Sequence, residues 1–158
     1  MTVTSCAYKQ ARQLAGALKS VTKLGGKPAR IPTPKLKGRK RAGIIYQNKF
    51  ADFMEKIMGW DVEREPWYEF VDDEGKHWAS PDLVCFEKRV IFECKLTHKA
   101  GAKDKLLNFY APVVKYNTQD EWACVQVVRH LTPSAKSDLI QLSDLQTLPP
   151  YGVLLWRP

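Results

Sequence analysis

The first third of the sequence contains no acidic residue, and Asp52 is the first Asp or Glu of the 158-residue chain. The whole chain has 25 Lys and Arg against 17 Asp and Glu, and twelve of the basic residues precede Asp52. The formal net charge of +8 therefore arises from residues 1–51, while the rest of the chain is net acidic. A basic segment of this kind gains affinity for a polyanion by counterion release, largely without reading base sequence. The charge distribution predicts DNA as a partner.

Long apolar runs and clustered cysteines are also absent. No stretch reaches the roughly 18 apolar residues of a transmembrane helix, so we expect no membrane span. The four cysteines have neither Cys-x-x-Cys spacing nor ligand spacing with the three histidines, which argues against a zinc site. We expect them to be reduced, mostly buried thiols of a cytoplasmic protein, in a bacterial or phage-infected cell. They are Cys6, Cys85, Cys94 and Cys124.

The composition fits one α/β domain preceded by a basic N-terminal arm. With 44% hydrophobic and 11% aromatic residues, the chain can fill a single core, which we place in residues 42–158. Residues 1–24 have the pattern of a basic amphipathic helix, and the Pro and Gly content of residues 25–41 predicts an extended linker. Two alternatives for the arm are an organellar transit peptide and a solubilising tail.

The strongest local signal is a predicted β-hairpin. Two β-prone apolar runs, residues 83–86 and 89–92, are separated by a short polar turn. A hairpin centred between residues 87 and 88 places Asp82 opposite Glu93 on the neighbouring strand. Facing like charges destabilise a sheet unless something neutralises them, and a bound cation would do so.

The residues after Glu93 extend this predicted site. Side chains alternate along a strand, so Glu93 and Lys95 project from one face and Cys94 from the other. Two carboxylates, the Cys94 carbonyl and a substrate phosphate would suit the octahedral oxygen coordination of Mg²⁺. In this interpretation Lys95 either stabilises the negative charge that develops on the phosphate during hydrolysis or orients the attacking water.

The pattern Pro81-Asp82 followed by Glu93-Cys94-Lys95 resembles the PD-(D/E)xK nuclease superfamily. That superfamily includes restriction enzymes, Holliday-junction resolvases and phage recombination exonucleases. The resemblance implies a restriction-endonuclease-like fold, with a mixed sheet flanked by helices. It also implies a Mg²⁺-dependent phosphodiesterase, in which Mn²⁺ can substitute.

Many members of that superfamily add an acidic residue on a helix upstream of the Asp. The apolar spacing predicts a helix over residues 42–58, and its inward-facing polar residue is Gln47. Glu55 falls on the far side of this helix and is the weaker candidate. Gln47 completes the predicted site through its carbonyl oxygen, or alternatively only hydrogen-bonds neighbouring backbone.

Basic residues on both sides of the predicted site are candidates for contacts with DNA phosphates. One group precedes the helix that carries Gln47, and the other follows the strand that carries Lys95. A solvated lysine-rich face is the alternative for the second group. The candidates are Lys35, Lys37, Arg39, Lys40, Arg41, Lys99, Lys103 and Lys105.

These features together predict a metal-dependent DNA endonuclease. The chain is small enough to be encoded by a phage or mobile element, and we expect no separate recognition domain within it. We therefore expect it to read DNA shape or backbone, as a Holliday-junction resolvase does, with a homodimer as one arrangement. The alternatives are a recombination-type exonuclease and a non-catalytic DNA-binding protein that retains the nuclease fold.

Overall fold

A six-stranded mixed sheet forms the centre of the protein in the computed structural model, which describes residues 13–33 and 35–158. Its strand order is β2-β5-β6-β7-β9-β8, and a smaller antiparallel sheet has the order β1-β3-β4. Helices flank the large sheet, so the fold is mixed α/β, as expected from the sequence. The strands are β1 (Ser20–Lys23), β2 (Glu63–Arg64), β3 (Tyr68–Asp72), β4 (Gly75–Ala79), β5 (Leu83–Cys85), β6 (Val90–Thr97), β7 (Ala123–His130), β8 (Leu139–Ile140) and β9 (Tyr151–Leu155). The helices are α1 (Gly38–Lys56), α2 (Gly101–Lys105) and α3 (Ala111–Thr118), with a π turn at Leu106–Tyr110 and 3-10 turns at Pro133–Asp138 and Leu142–Gln146.

The hairpin predicted from the sequence is present as strands β5 and β6. The two strands are antiparallel, and Leu83 pairs with Phe92 while Cys85 pairs with Val90. This register confirms a hairpin centred between residues 87 and 88. Beyond it, β6 pairs in parallel with β7, and β7 pairs in parallel with β9. The hairpin strand that carries Glu93 and Lys95 is thus a central strand of the sheet.

Helix α1 covers one face of the six-stranded sheet. Its apolar stripe packs against alternate residues of the central strands, as the predicted helical spacing requires. Phe50 contacts the rings of Phe92 and Trp156 at centroid distances of 5.4 and 5.2 Å. The helix starts at Gly38, four residues earlier than expected. Three basic residues assigned to the linker therefore belong to its first turn, namely Arg39, Lys40 and Arg41.

The opposite face of the sheet is covered by α2, the π turn and α3, which follow one another without a break. The sequence pattern predicts a helix over residues 103–111 that Pro112 ends or kinks. In the structure, the helical path instead continues to Thr118, and Pro112 lies in the first turn of α3. In the preceding π turn the Ala111 N–H donates to the Leu106 carbonyl, five residues back rather than four. Because the regular α-helical hydrogen bonding is already interrupted there, the missing N–H of Pro112 does not end the helical path.

The described part of the N-terminal segment is folded against the domain, contrary to the predicted helix and linker. Residues 20–23 form β1, which pairs with β3, and Ile31 is buried beside Trp78. The earlier part of the predicted amphipathic helix, residues 1–12, lies outside the described residues, as does Cys6. Cys85, Cys94 and Cys124 are free and buried, as predicted. No helix in the described part of the chain is long and apolar enough to cross a membrane.

Candidate functional site

The candidate site lies where the β5–β6 ladder ends. Asp82 immediately precedes β5, while β6 continues past it through Cys94 and Lys95. The Cys94 N–H therefore has no strand partner on this side and instead donates to Asp82 Oδ2 at 2.8 Å. The N–H and C=O of a strand residue point to the same neighbour, so the Cys94 carbonyl also points to the Asp82 side.

The charges of Glu93 and Lys95 both act on the Asp82 carboxyl. Burial raises the pKa of the Asp82 carboxyl well above its ordinary value, and the charge and hydrogen bonding of Glu93 raise it further. The Cys94 N–H and the positive charge of Lys95 act in the opposite direction. The structure thus brings together the two carboxylates and the ammonium group that the motif spacing placed together.

Gln47 reaches this site from helix α1. Its side chain is buried, and its Nε2 donates to the Asp82 carbonyl at 3.4 Å, which the Glu65 N–H also contacts at 2.9 Å. The Gln47 side-chain amide thus makes a long contact with the backbone of Asp82, in line with the second of the two roles predicted for it. Glu55 lies on the exposed side of the helix and pairs with Arg64, as expected from the helical spacing.

A cleft of about 670 Å³ opens between the start of α1 and the end of β6. Four basic residues and Asp82 contribute to its wall, which gives the cleft a positive rim around one carboxylate. Glu93 is not among its lining residues, because only 2% of that side chain is exposed. The cleft is lined by Leu36, Arg39, Lys40, Gly43, Ile44, Gln47, Asp82, Cys94, Lys95, Leu96, Thr97 and Lys99.

The remaining predicted DNA contacts fall into two groups. Lys35, Lys37 and Arg41 are exposed close in sequence to the cleft residues of α1. Lys103 and Lys105 instead make ion pairs within the protein. Lys103 Nζ lies 3.4 Å from Asp138 Oδ1, and Lys105 Nζ lies 3.4 Å from Glu93 Oε2.

Gln126 is a buried polar residue beside the site that was not predicted from the sequence. It pairs with Glu93 in the parallel β6–β7 register. Its Oε1 accepts from the Lys99 N–H at 2.8 Å, and its Nε2 donates to the Lys99 carbonyl and to Tyr151 Oη, both at 3.0 Å. Gln126 therefore holds the loop that places Lys99 at the cleft. Its position inside an apolar strand was a visible signal, because a buried amide requires partners.

The oxygen groups at the site are of the type that hard divalent cations prefer. Asp82, Glu93 and the Cys94 carbonyl offer oxygen ligands, and Glu93 Oε2 is a buried atom that accepts no hydrogen bond. Within residues 13–33 and 35–158, no three His, Cys, Asp or Glu side chains form a group that could hold a metal. A cation here would take its other ligands from water and from a substrate phosphate, which is the usual behaviour of Mg²⁺.

Fold and site together define a mixed α/β protein with a coupled pair of carboxylates at the end of a central hairpin, beside a basic cleft. Comparisons of the chain with protein-family models, with curated proteins and with solved structures found no match.

Proposed function

We propose that this protein is a divalent-metal-dependent nuclease that hydrolyses phosphodiester bonds of DNA. The observation that carries the proposal is the closeness of Asp82, Glu93 and Lys95 at one point of the sheet, where Asp82 and Lys95 line a basic cleft and Glu93 lies buried behind them. A buried carboxylate whose pKa is raised by a neighbouring carboxylate is a poor structural choice unless a cation or a proton relieves it. The resemblance of these residues to the PD-(D/E)xK motif supports the same activity.

Each site residue has a defined task in this proposal. Asp82, Glu93 and the Cys94 carbonyl would hold the cation, and Gln47 positions the backbone of Asp82. The bound cation would supply positive charge that polarises the scissile phosphate and activates water. Lys95, a compact charge on a flexible stem, stabilises the charge that accumulates on the phosphate oxygens.

The basic rim of the cleft would bind the DNA backbone. Arg39 and Lys40 stand on the first turn of α1, and Lys99 follows β6 on the other side of the cleft. These side chains contact phosphates without reading bases, which favours recognition of DNA shape over a long base sequence. A resolvase-like endonuclease on branched DNA is the form of the activity that this arrangement supports best.

A second candidate is a DNA-binding protein without catalysis. Two observations favour it: the helix supplies an amide, Gln47, where a further carboxylate is usual, and Glu93 is paired with Lys105 and buried. Such a protein would use the same cleft and the same basic residues. The two candidates differ only in whether bound DNA is cut.

The test incubates linear, circular and four-way-junction DNA with the full chain in MgCl₂, MnCl₂ or EDTA. We expect cleavage only with a divalent cation, and a loss of about 10²-fold or more in Asp82→Asn and in Lys95→Gln. Lys88→Gln, in the exposed turn at the far end of the same hairpin, is the matched control and should cut normally. Cutting only at free ends would assign an exonuclease. Binding of every substrate by the wild type without any cutting would reject the nuclease in favour of the binding protein.

A further inference from the structure

Lys105 contacts the buried carboxylate of the site rather than the cleft. Its Nζ lies 3.4 Å from Glu93 Oε2 and 4.9 Å from the ring centroid of Tyr110. The Lys105 side chain is 26% exposed, whereas the Glu93 side chain is 2% exposed. The ammonium group therefore stands between solvent and the carboxylate.

The π turn accounts for this placement. In a regular α-helix, residues five apart point about 140° away from each other. In a π turn, residues five apart lie on the same face, because the N–H of residue i+5 donates to the carbonyl of residue i. Lys105 and Tyr110 consequently face the sheet together, and Tyr110 Oη donates to the Ser80 carbonyl at 3.3 Å, close to Asp82 in the chain.

When both carboxyls are ionised, the site needs no added cation for its charges to balance. The two negative charges of Asp82 and Glu93 are then matched by the two positive charges of Lys95 and Lys105. The contact between Lys105 and Glu93 is loose, since Glu93 Oε2 accepts no hydrogen bond of acceptable geometry. An ion pair without an aligned hydrogen bond is easily exchanged for a stronger interaction, such as that with a divalent cation.

We propose that Lys105 is a built-in counter-ion that occupies the place of a divalent cation at Glu93 and leaves it when the cation binds. The proposal rests on the proposed cation site and adds its regulation: the protein binds the cation weakly because its own ammonium group competes. Lys105 is therefore not a rim residue for DNA, in contrast to Lys99.

The test measures cation binding alone, by isothermal titration with MgCl₂ and CaCl₂ in the absence of nucleic acid. Lys105→Gln removes the positive charge and keeps a polar side chain, so we expect the Kd for the cation to fall about tenfold, or about 1.4 kcal/mol. Lys103→Gln is the matched control, because Lys103 makes an ion pair of the same 3.4 Å length but its side chain is 50% exposed. Its Kd should equal that of the wild type.

Lys105→Arg gives a second reading that does not depend on the folding of the first variant. A guanidinium can bind a carboxylate through two aligned hydrogen bonds, so the Kd for the cation should rise above the wild-type value. Equal Kd values for the wild type and Lys105→Gln would overturn the proposal, as would the absence of cation binding in both proteins.

Cleavage assays on the same proteins separate this proposal from the nuclease. If Lys105→Gln tightens cation binding while no variant cuts DNA, the counter-ion role holds and the nuclease fails. If the wild type cuts DNA and Lys105→Gln binds the cation no more tightly, the nuclease stands and the counter-ion role fails.

Discussion

Replacing Asp82 by Asn should stabilise the metal-free protein, although it removes a residue of the proposed active site. The Asp82 and Glu93 carboxylates repel each other in a partly buried place, and burial adds to the cost of the Asp82 charge. Asn has nearly the same shape, and its Oδ1 can still accept the hydrogen bond from the Cys94 N–H. The substitution thus removes the repulsion and keeps the local structure.

The expected gain is about 1–2 kcal/mol in the free energy of unfolding. Two like charges about 4 Å apart repel by about 4 kcal/mol at an effective dielectric constant near 20. Lys95 and the Cys94 N–H offset a large part of this repulsion. For a chain of this length, each kcal/mol shifts the Tm by about 2–4 °C, so Asp82→Asn should melt about 2–8 °C above the wild type.

The assay is thermal unfolding at neutral pH in EDTA, with Asp72→Asn as the comparison. Asp72 is also buried, but it accepts hydrogen bonds from the Ala15 and Glu74 N–H groups, both at 2.9 Å. Asn has one carboxamide oxygen for these two donors, so Asp72→Asn should destabilise the protein by about 1–2 kcal/mol. The same substitution should therefore change stability in opposite directions at the two positions. A Tm for Asp82→Asn at or below that of the wild type would refute the argument from repulsion.

The pH dependence gives a second check on the same variant. Because folding raises the Asp82 pKa, the cost of its charge grows as the pH rises through that raised value. Below the ordinary Asp pKa of about 4, the carboxyl is protonated in both folded and unfolded states and the cost is absent. The advantage of Asp82→Asn should accordingly be absent near pH 3, grow as the pH rises above about 4, and become constant once the pH exceeds the raised pKa.

Two further predictions concern the cleft and the loop beside it. Replacing Arg39 and Lys40 together by Gln should weaken DNA binding about equally for all sequences and lower the slope of log K against log salt by about 2. Lys49→Gln, on the opposite side of α1, is the control and should change neither the affinity nor the slope. An unchanged slope for the double variant in fluorescence anisotropy titrations would show that Arg39 and Lys40 do not contact phosphates. Gln126→Leu should lower the free energy of unfolding by about 2–4 kcal/mol in urea denaturation, because the backbone N–H and C=O of Lys99 lose their hydrogen-bond partner. A loss below about 0.5 kcal/mol would mean that other contacts hold the loop.

The central hairpin and helix α1 could be predicted from the sequence because their signals are local. Apolar runs on both sides of residues 87–88 fix the register that places Asp82 beside Glu93. The helical spacing likewise directs Gln47 inward. Both predictions depend on the period of side chains along a strand or helix, which the chain displays directly.

The features that escaped prediction depend on contacts distant in sequence. Strand β1 has a single apolar residue, Val21, so its sequence gives little strand signal. It forms because it pairs with β3, which follows it about fifty residues later in the chain. Lys105 looks like one member of a lysine-rich surface until the π turn rotates it toward Glu93. A turn that inserts one residue into a helix has no reliable local signal, so the roles of Lys103 and Lys105 could not be separated beforehand.

The π turn also has a consequence for comparing this chain with any related sequence. Deleting one residue between positions 106 and 110 would restore regular α-helical geometry and rotate Lys105 by about 100° relative to α3. The ammonium group would then leave Glu93 while the apolar face of α3 stayed in the core. A one-residue gap in an alignment at this point would therefore identify homologues whose acidic pair lacks its internal neutraliser.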